Sequence, residues 1–489
     1  MPKIKIWIKY KNICYIRERY LSEKEFWLMN TNKKLKKIED KYILGILILY
    51  AGILFIISFF RIFDNAFWGD ECYSIGLVKM GFMEMIQETG SDVHPPLYYI
   101  FLRVISGLLG QKGYVFHLVS VIPVGLTFLF AMSKVYKKFG ACVAFLLATF
   151  VFFLDTAILF SVEVRMYSWA NFFVLMSFYE MHEIIMNNKK RNWVLFSVYS
   201  LAAAYTHYYA LVAVAFLYIM LIVYEIWKKG QTWKKTLAIC ITAVVVYLPW
   251  LINLLQAFGR TASSWWVEEI PKIRYCIEYL FASKMSLLYV GIWGVGIIIL
   301  FYNTYIKKKE NYEFTFWILS GLVSIAGTIG AGEMVSILWR PMFQTRYVYV
   351  TAGITWIIFG VVIEKLKGKQ IWLAGILVVT FVIGIPNYYR WVENDKEYQA
   401  GTQLILDSMK NMEETDILWT NSPHLDWTML EYYYPDNEYL LIENITEETD
   451  YHNADWLFWE NELEAMKEYK VAEGYMGPYN YIYVYKAEE

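Results

Sequence analysis

A chain of 489 residues, 57% hydrophobic and only 19% charged, is excluded from the ordinary water-soluble globular class and reads as a polytopic membrane protein. Its formal net charge of −1, with no basic domain, argues against nucleic acid as a partner. Five cysteines, Cys14, Cys72, Cys142, Cys240 and Cys276, show no pairing or CxxC pattern and are expected as free thiols.

Residues 1–41 mix basic side chains such as Lys33, Lys34, Lys36 and Lys37 with aromatics, which suits a cytoplasmic arm lying on anionic headgroups. The first apolar run, residues 43–62, follows this long charged lead and reads as an uncleaved anchor rather than a signal peptide. It delivers the chain to the outer face, into a loop over residues 64–113. Within that loop residues 96–110 are apolar but short and contain Arg103. Taken as a juxtamembrane helix, this stretch leaves every later basic loop inside: Lys134 with Lys137 and Lys138, Lys189 to Arg191, Lys228 with Lys229, Lys307 to Lys309, and Lys365 with Lys367 and Lys369. Further spans fall near 114–133, 141–161, 167–186, 193–206, 208–227, 236–255, 285–304, 314–330, 347–364 and 371–387, about eleven with the first. Only helices satisfy their own backbone inside this apolar stretch, so the expected fold is an all-α transmembrane domain over residues 42–387, N-terminus in and C-terminus out. Residues 388–489 turn polar and acidic. Strand-like runs at 417–419, 439–442 and 481–485 alternate there with helical ones at 403–409 and 425–432, which predicts a small extracytoplasmic α/β domain.

The same parity puts Asp70, Glu71, Asp92, His94, Glu163, Arg165, His207, Glu333, Arg340 and Arg346 at the outer face, able to share one site. Asp70 and Glu71 follow Trp68-Gly69; adjacent side chains diverge, so one can serve as a base while the other orients a partner. His94-Pro95-Pro96 gives a helix a rigid start, with Asp92 as a candidate N-cap, and such a helix end seats an anion. Glu163-Val164-Arg165-Met166-Tyr167, Arg340-Pro341 and Arg346-Tyr347 place arginine at outer span ends against the positive-inside bias. Each arginine alone reads as a snorkelling or paired side chain; together they can grip a phosphate in the bidentate way lysine cannot. His207 is suited to hydrogen-bond a phosphate or, with Glu71 and His94, to bind a metal, although no HxxxH spacing is present. Asp155 is an intramembrane carboxylate without an assigned role, Trp265-Trp266 suits a headgroup belt, and Asn444-Ile445-Thr446 is a formal glycosylation acceptor. The set describes a site that holds a phosphorylated lipid at the membrane surface and reacts its headgroup. A transporter of lipid-linked saccharides is the alternative, but it would spread polar groups through the bilayer midplane.

Asp70-Glu71 after the first span, Asp92 with His94-Pro95-Pro96-Leu97-Tyr98-Tyr99, Glu163/Arg165/Met166/Tyr167, Thr206-His207-Tyr208 and Arg346-Tyr347 together resemble bacterial members of glycosyltransferase family 39, the protein O-mannosyltransferase-like branch of the GT-C fold. The order and spacing hold across residues 68–363. The resemblance implies a multi-pass plasma-membrane enzyme with juxtamembrane helices in its first outer loop. Such an enzyme moves a hexose, with inversion, from a polyprenyl-phosphate donor to a glycan, lipid or protein acceptor on the extracytoplasmic side. Carried over residue by residue, it implies Asp70 as the base that deprotonates the acceptor and Glu71 as a supporting carboxylate. Arg165 and Arg346 are expected to hold the lipid phosphate, with His94, Glu163, Tyr167, His207 and Arg340 around it. No cofactor is required. Val93 stands where relatives acting on lipid A carry an acidic residue, so their metal arrangement is not carried over.

Overall fold

Hydrocarbon offers no hydrogen-bond partner to a backbone, and helices meet that condition throughout the apolar part of this chain. The computed structural model describes residues 38–63, 66–92, 94–228, 233–261, 269–308, 311–366, 368–421, 427–442, 454–478 and 480–486. The basic arm up to residue 37, Cys14, Val93, Trp265-Trp266 and the Asn444 triplet lie outside the described residues.

Helix α1 (Ile38–Phe63) leads into three short helices, α2 (Gly69–Lys79), α3 (Phe82–Ser91) and α4 (Leu97–Leu109). Then come α5 (Gly113–Phe139), α6 (Ala141–Phe153), α7 (Asp155–Phe160), α8 (Tyr167–Asn187) and α9 (Lys190–Ala204). The rest of the bundle is α10 (Tyr208–Trp227), α11 (Trp233–Gln256), α12 (Ile273–Tyr279), α13 (Ser286–Ile306), α14 (Tyr312–Leu338), α15 (Thr345–Lys365) and α16 (Lys369–Ser408). Eight of these, α1, α5, α10, α11, α13, α14, α15 and α16, are long and apolar enough to cross a membrane, which makes this a multi-pass membrane architecture. They coincide with eight of the spans expected from sequence. The other three differ for local reasons: the run over 141–161 breaks at Leu154, whose backbone is extended; α9 is short; and α8 is buried on nearly every face, so it tolerates polar side chains such as Glu180 and His182.

Helix α4 has 13 residues and so spans about 20 Å, short of the hydrocarbon thickness. It packs on α2 and α5. Arg103, the charge that marks it as non-crossing, donates to the carbonyls of Val78 (2.9 Å) and Met80 at the C-terminal end of α2, which have no partner within that helix. The segment between α1 and α5 is therefore a packed platform. Deeper in, α8 touches α5, α9, α10, α14 and α15. Gly353 lets α15 approach α8 closely enough for its amide to donate to Asn171 Oδ1 at 2.7 Å. That contact fixes where the 3-10 turns Thr345–Thr351 opening α15 present Arg346 and Tyr347.

Helix α16 runs unbroken for 40 residues, about 60 Å, past the composition change at residue 388 and into the C-terminal domain. There α17 (Trp427–Tyr433) accompanies a five-stranded sheet of β1 (Ile417–Thr420), β2 (Glu438–Leu441), β3 (Trp456–Trp459), β4 (Lys470–Tyr475) and β5 (Tyr481–Lys486) in the order β2-β1-β3-β5-β4. Strand β1 is parallel to β2 and β3, whereas β5 is antiparallel to β3 and β4. The domain docks on the loop before α2: α17 packs against α2, the Phe67 amide donates to Tyr433 Oη at 3.4 Å, and the Phe67 ring meets Tyr432 edge-on at 5.6 Å. Gly477, at φ 72°, comes so near that a Cβ there would lie 2.6 Å from the Phe67 carbonyl oxygen.

Gly477→Ala is expected to cost about 1–3 kcal/mol and lower the melting midpoint of the full chain in detergent by several degrees. Gly474→Ala, whose Cβ would meet nothing nearer than 3.5 Å, serves as the control. Equal midpoints for the two variants would show that this contact does not constrain the docking.

Candidate functional site

The two carboxylates diverge as α2 begins. Glu71 is buried, 4% exposed, and both its oxygens accept from backbone amides: Oε2 from Trp68 at 3.3 Å, which satisfies a free N–H at the helix start, and Oε1 from Val164 at 2.7 Å. The second bond ties the turn between α7 and α8 to α2, and it sets the position of the next residue, Arg165. Asp70 points the other way. Its Oδ2 lies 3.3 Å from Arg346 Nη1 and 3.7 Å from Arg165 Nη2, so one carboxylate oxygen stands between two guanidinium groups.

Arg165 is buried, and a buried guanidinium is costly unless charge and hydrogen bonds surround it. Its Nη1 donates to the Asp70 carbonyl at 3.1 Å and Ser74 Oγ at 3.2 Å, and its Nη2 is 3.3 Å from His94 Nε2. Arginine is a permanent donor, so His94 Nε2 accepts and its Nδ1–H donates to Asp92 Oδ2 at 3.1 Å. Burial, against the opposing pull of Asp92, holds the His94 pKa below the ordinary histidine value, in keeping with a neutral ring. Asp92 thus fixes His94 and does not cap α4, whose N-cap is Pro96.

His207 caps α10 by accepting from the Tyr209 amide at Nδ1 (3.1 Å), which leaves the hydrogen on Nε2. Burial, with the charges of Arg165 and Arg346 nearby, lowers its pKa well below the ordinary value. Its ring is 6.1 Å from that of His94 and 5.5 Å from those of Tyr167 and Tyr347. Arg165 Nε and the Tyr167 hydroxyl are buried here without a hydrogen-bond partner. Glu163 is also buried, with Oε2 unpartnered; burial pushes its pKa up to about 7 against Arg346 and Arg165.

Asp70, His94, Arg165, Tyr167, His207 and Arg346 thus come together at one place, with Glu163 on its border. Arg340 lies in the connection between α14 and α15. Glu333 lies within α14. Asp155 joins elements: its amide donates to the Ala282 carbonyl at 2.8 Å and its carboxylate accepts from Asn387 of α16. Among the described residues no group of three His, Cys, Asp or Glu side chains is placed to hold a metal ion. Sequence reasoning missed Ser74 and His117. Ser74 stands four residues after Asp70, on the same helix face. His117, a polar group inside an apolar helix, stacks on Phe67 at 4.8 Å and donates from Nδ1 to the Val162 carbonyl at 2.8 Å.

The helical bundle, the platform of short helices and the C-terminal sheet together make a GT-C fold. No family model matches the sequence, and no curated protein is similar to it in sequence. Among solved structures, ArnT from Cupriavidus metallidurans in the apo state covers 90% of this chain and 97% of its own, with a TM-score of 0.55 and 10% identity. The same protein bound to undecaprenyl phosphate gives a TM-score of 0.54 and 13% identity over 90% and 98% of the two chains.

The raised Glu163 pKa has a consequence for stability. From the ordinary value of 4.5 up to about 7, the folded protein holds a proton the unfolded chain has lost, so stability falls as pH rises across that window, by a total on the order of 3 kcal/mol. Melting midpoints measured from pH 4.5 to 8 are expected to decline more steeply in the wild type than in Glu163→Gln. Parallel profiles would contradict the buried, partner-poor environment of this carboxyl.

Proposed function

We propose that this protein is an inverting membrane glycosyltransferase, moving a hexosyl group from a polyprenyl-phosphate donor to an acceptor hydroxyl at the extracytoplasmic face of the plasma membrane. The observation that carries the reading is the Asp70 carboxylate between the Arg165 and Arg346 guanidiniums. A lipid phosphate arriving there competes for the two arginines and displaces Asp70 from them, which turns a charge-neutralised carboxylate into an available base. The acceptor oxygen then attacks the anomeric carbon while its proton passes to Asp70. The bond from that carbon to the phosphate oxygen breaks, and the polyprenyl phosphate leaves with the electron pair. Charge growing on the leaving phosphate meets preorganised guanidiniums. No cofactor enters this scheme.

Other features support the same reading. His207 presents a ring N–H beside the arginines, and Glu71 acts through the backbone by holding Val164, which makes it a positioning residue. An ArnT structure of the same fold holds undecaprenyl phosphate, and the motif resemblance to family 39 favours a hexose.

Purified protein supplied with radiolabelled polyprenyl-phosphate hexoses and membrane extract tests this. Asp70→Asn is expected to reduce transfer roughly 10²–10⁴-fold with an unchanged melting midpoint, and Arg165→Lys to raise the donor KM. Wild-type turnover by Asp70→Asn would overturn the assignment.

A further inference from the structure

A second concavity adjoins the Asp70 site without belonging to it. A cavity of about 150 Å³ lies where α16 passes the loop before α2, and Arg61, Trp68 and Glu163 line it from the membrane domain. By that measure one water occupies about 10–15 Å³, so roughly ten waters fit, enough space for one sugar unit.

The helix side of this cavity departs from ordinary packing. Trp391, Asn394, Asp395 and Tyr398 line it from α16, at spacings of three, four and seven residues, so they form a single stripe. The stripe faces inward, half-buried, while Glu393, Lys396 and Glu397 between its members and Arg390 just before it are exposed. An inward stripe of this period is ordinarily aliphatic; here it offers two aromatic faces and two polar groups. Tyr398 also meets Tyr475 of β4 edge-on at 4.9 Å, and Pro478 completes the wall, so the C-terminal domain closes the far side.

Charge narrows the occupant. Among the described residues that line the cavity Arg61 is the one Lys or Arg, and its guanidinium is engaged, with Nε and Nη2 on Asp395 Oδ2 at 2.9 and 2.7 Å and Nη1 on the Ile158 carbonyl at 2.5 Å and Ser161 Oγ at 3.2 Å. Among these described residues no Lys or Arg is left for a phosphate. What the wall does offer is the unpartnered Oε2 of Glu163, a residue 6% exposed, which suits a hydroxyl donor. Aromatic faces for C–H surfaces and carboxylates for hydroxyls are together the chemistry that recognises a neutral sugar.

We infer that this cavity is the acceptor subsite and that it takes a neutral saccharide, bound between Trp391 and Tyr398 and hydrogen-bonded by Glu163 and Asn394. The inference rests on the glycosyltransferase reading above and adds the acceptor class to it. Trp68 and Glu71 face the cavity while Asp70, between them in sequence, faces the arginines. Acceptor and donor therefore approach the first turn of α2 from two sides. The C-terminal domain becomes part of the acceptor site, lining it with Pro478 and backing Tyr398 with Tyr475.

Saturation-transfer NMR on the full-length protein in nanodiscs tests this with a panel of methyl glycosides of neutral hexoses and with glycerol 3-phosphate as the anionic probe. Saturable transfer to at least one glycoside is expected, weakened at least fivefold by Trp391→Ala and by Glu163→Gln and not displaced by glycerol 3-phosphate. A cooperative melting transition within a few degrees of the wild type serves as the fold control; Asn394→Ala and Tyr398→Phe replace any variant that fails it. No transfer to any glycoside, transfer undiminished in the variants, or displacement by glycerol 3-phosphate would overturn the acceptor subsite. Glycoside binding that behaves as expected, alongside wild-type turnover by Asp70→Asn, would uphold the subsite and overturn the mechanism it adjoins.

Discussion

A carboxylate oxygen 3.3 Å from one guanidinium and 3.7 Å from another is the contact on which the arrangement of the site depends. Two arginines this close repel each other, and one of them is buried, so neither position is tenable without a negative charge between them. In the protein as described Asp70 supplies it. In the proposed mechanism a lipid phosphate takes over that place, and the same electrostatic requirement then drives recognition of the donor. A site that must be filled by an anion is selective for one.

Much of the fold serves to bring the three residues of that contact together from distant parts of the chain. Asp70 and Arg346 are 276 positions apart. The Glu71 carboxylate holds the Val164 amide and so the turn carrying Arg165; the close approach of α15 to α8 at Gly353 places the 3-10 turns carrying Arg346. The C-terminal domain adds a third brace, since Tyr433, Tyr432 and Gly477 all meet Phe67 just before α2. A small domain at the end of the chain therefore helps set the geometry of a helix near its beginning.

Composition and loop charge made the membrane class, most of the long helices and the clustering of Asp70, Arg165 and Arg346 legible in sequence, because each follows from single-residue hydrophobicity or charge. Arg103 marked α4 as a short helix, although its partners, the carbonyls of Val78 and Met80, could not be foreseen. What escaped reading depends on backbone partners or tertiary context. The role of Glu71 rests on an amide of Val164, and the break at Leu154 has no glycine or proline to announce it. Strand β3, Trp456–Trp459, is buried at all four positions, so it shows no alternation. Pro386 marks an expected boundary, yet α16 continues through it, as helices in lipid commonly do. The polar stripe on α16 was present in the sequence at helical spacing, and only the cavity it faces distinguishes it from a solvated surface.

The account stands most directly on the claim that Asp70 and a lipid phosphate compete for the same two arginines. Affinity of the purified protein for undecaprenyl phosphate, measured for wild type and Asp70→Asn at one ionic strength, decides it. Removing the competing carboxylate is expected to tighten binding about tenfold, or ~1.4 kcal/mol. Equal or weaker binding by Asp70→Asn would contradict the account.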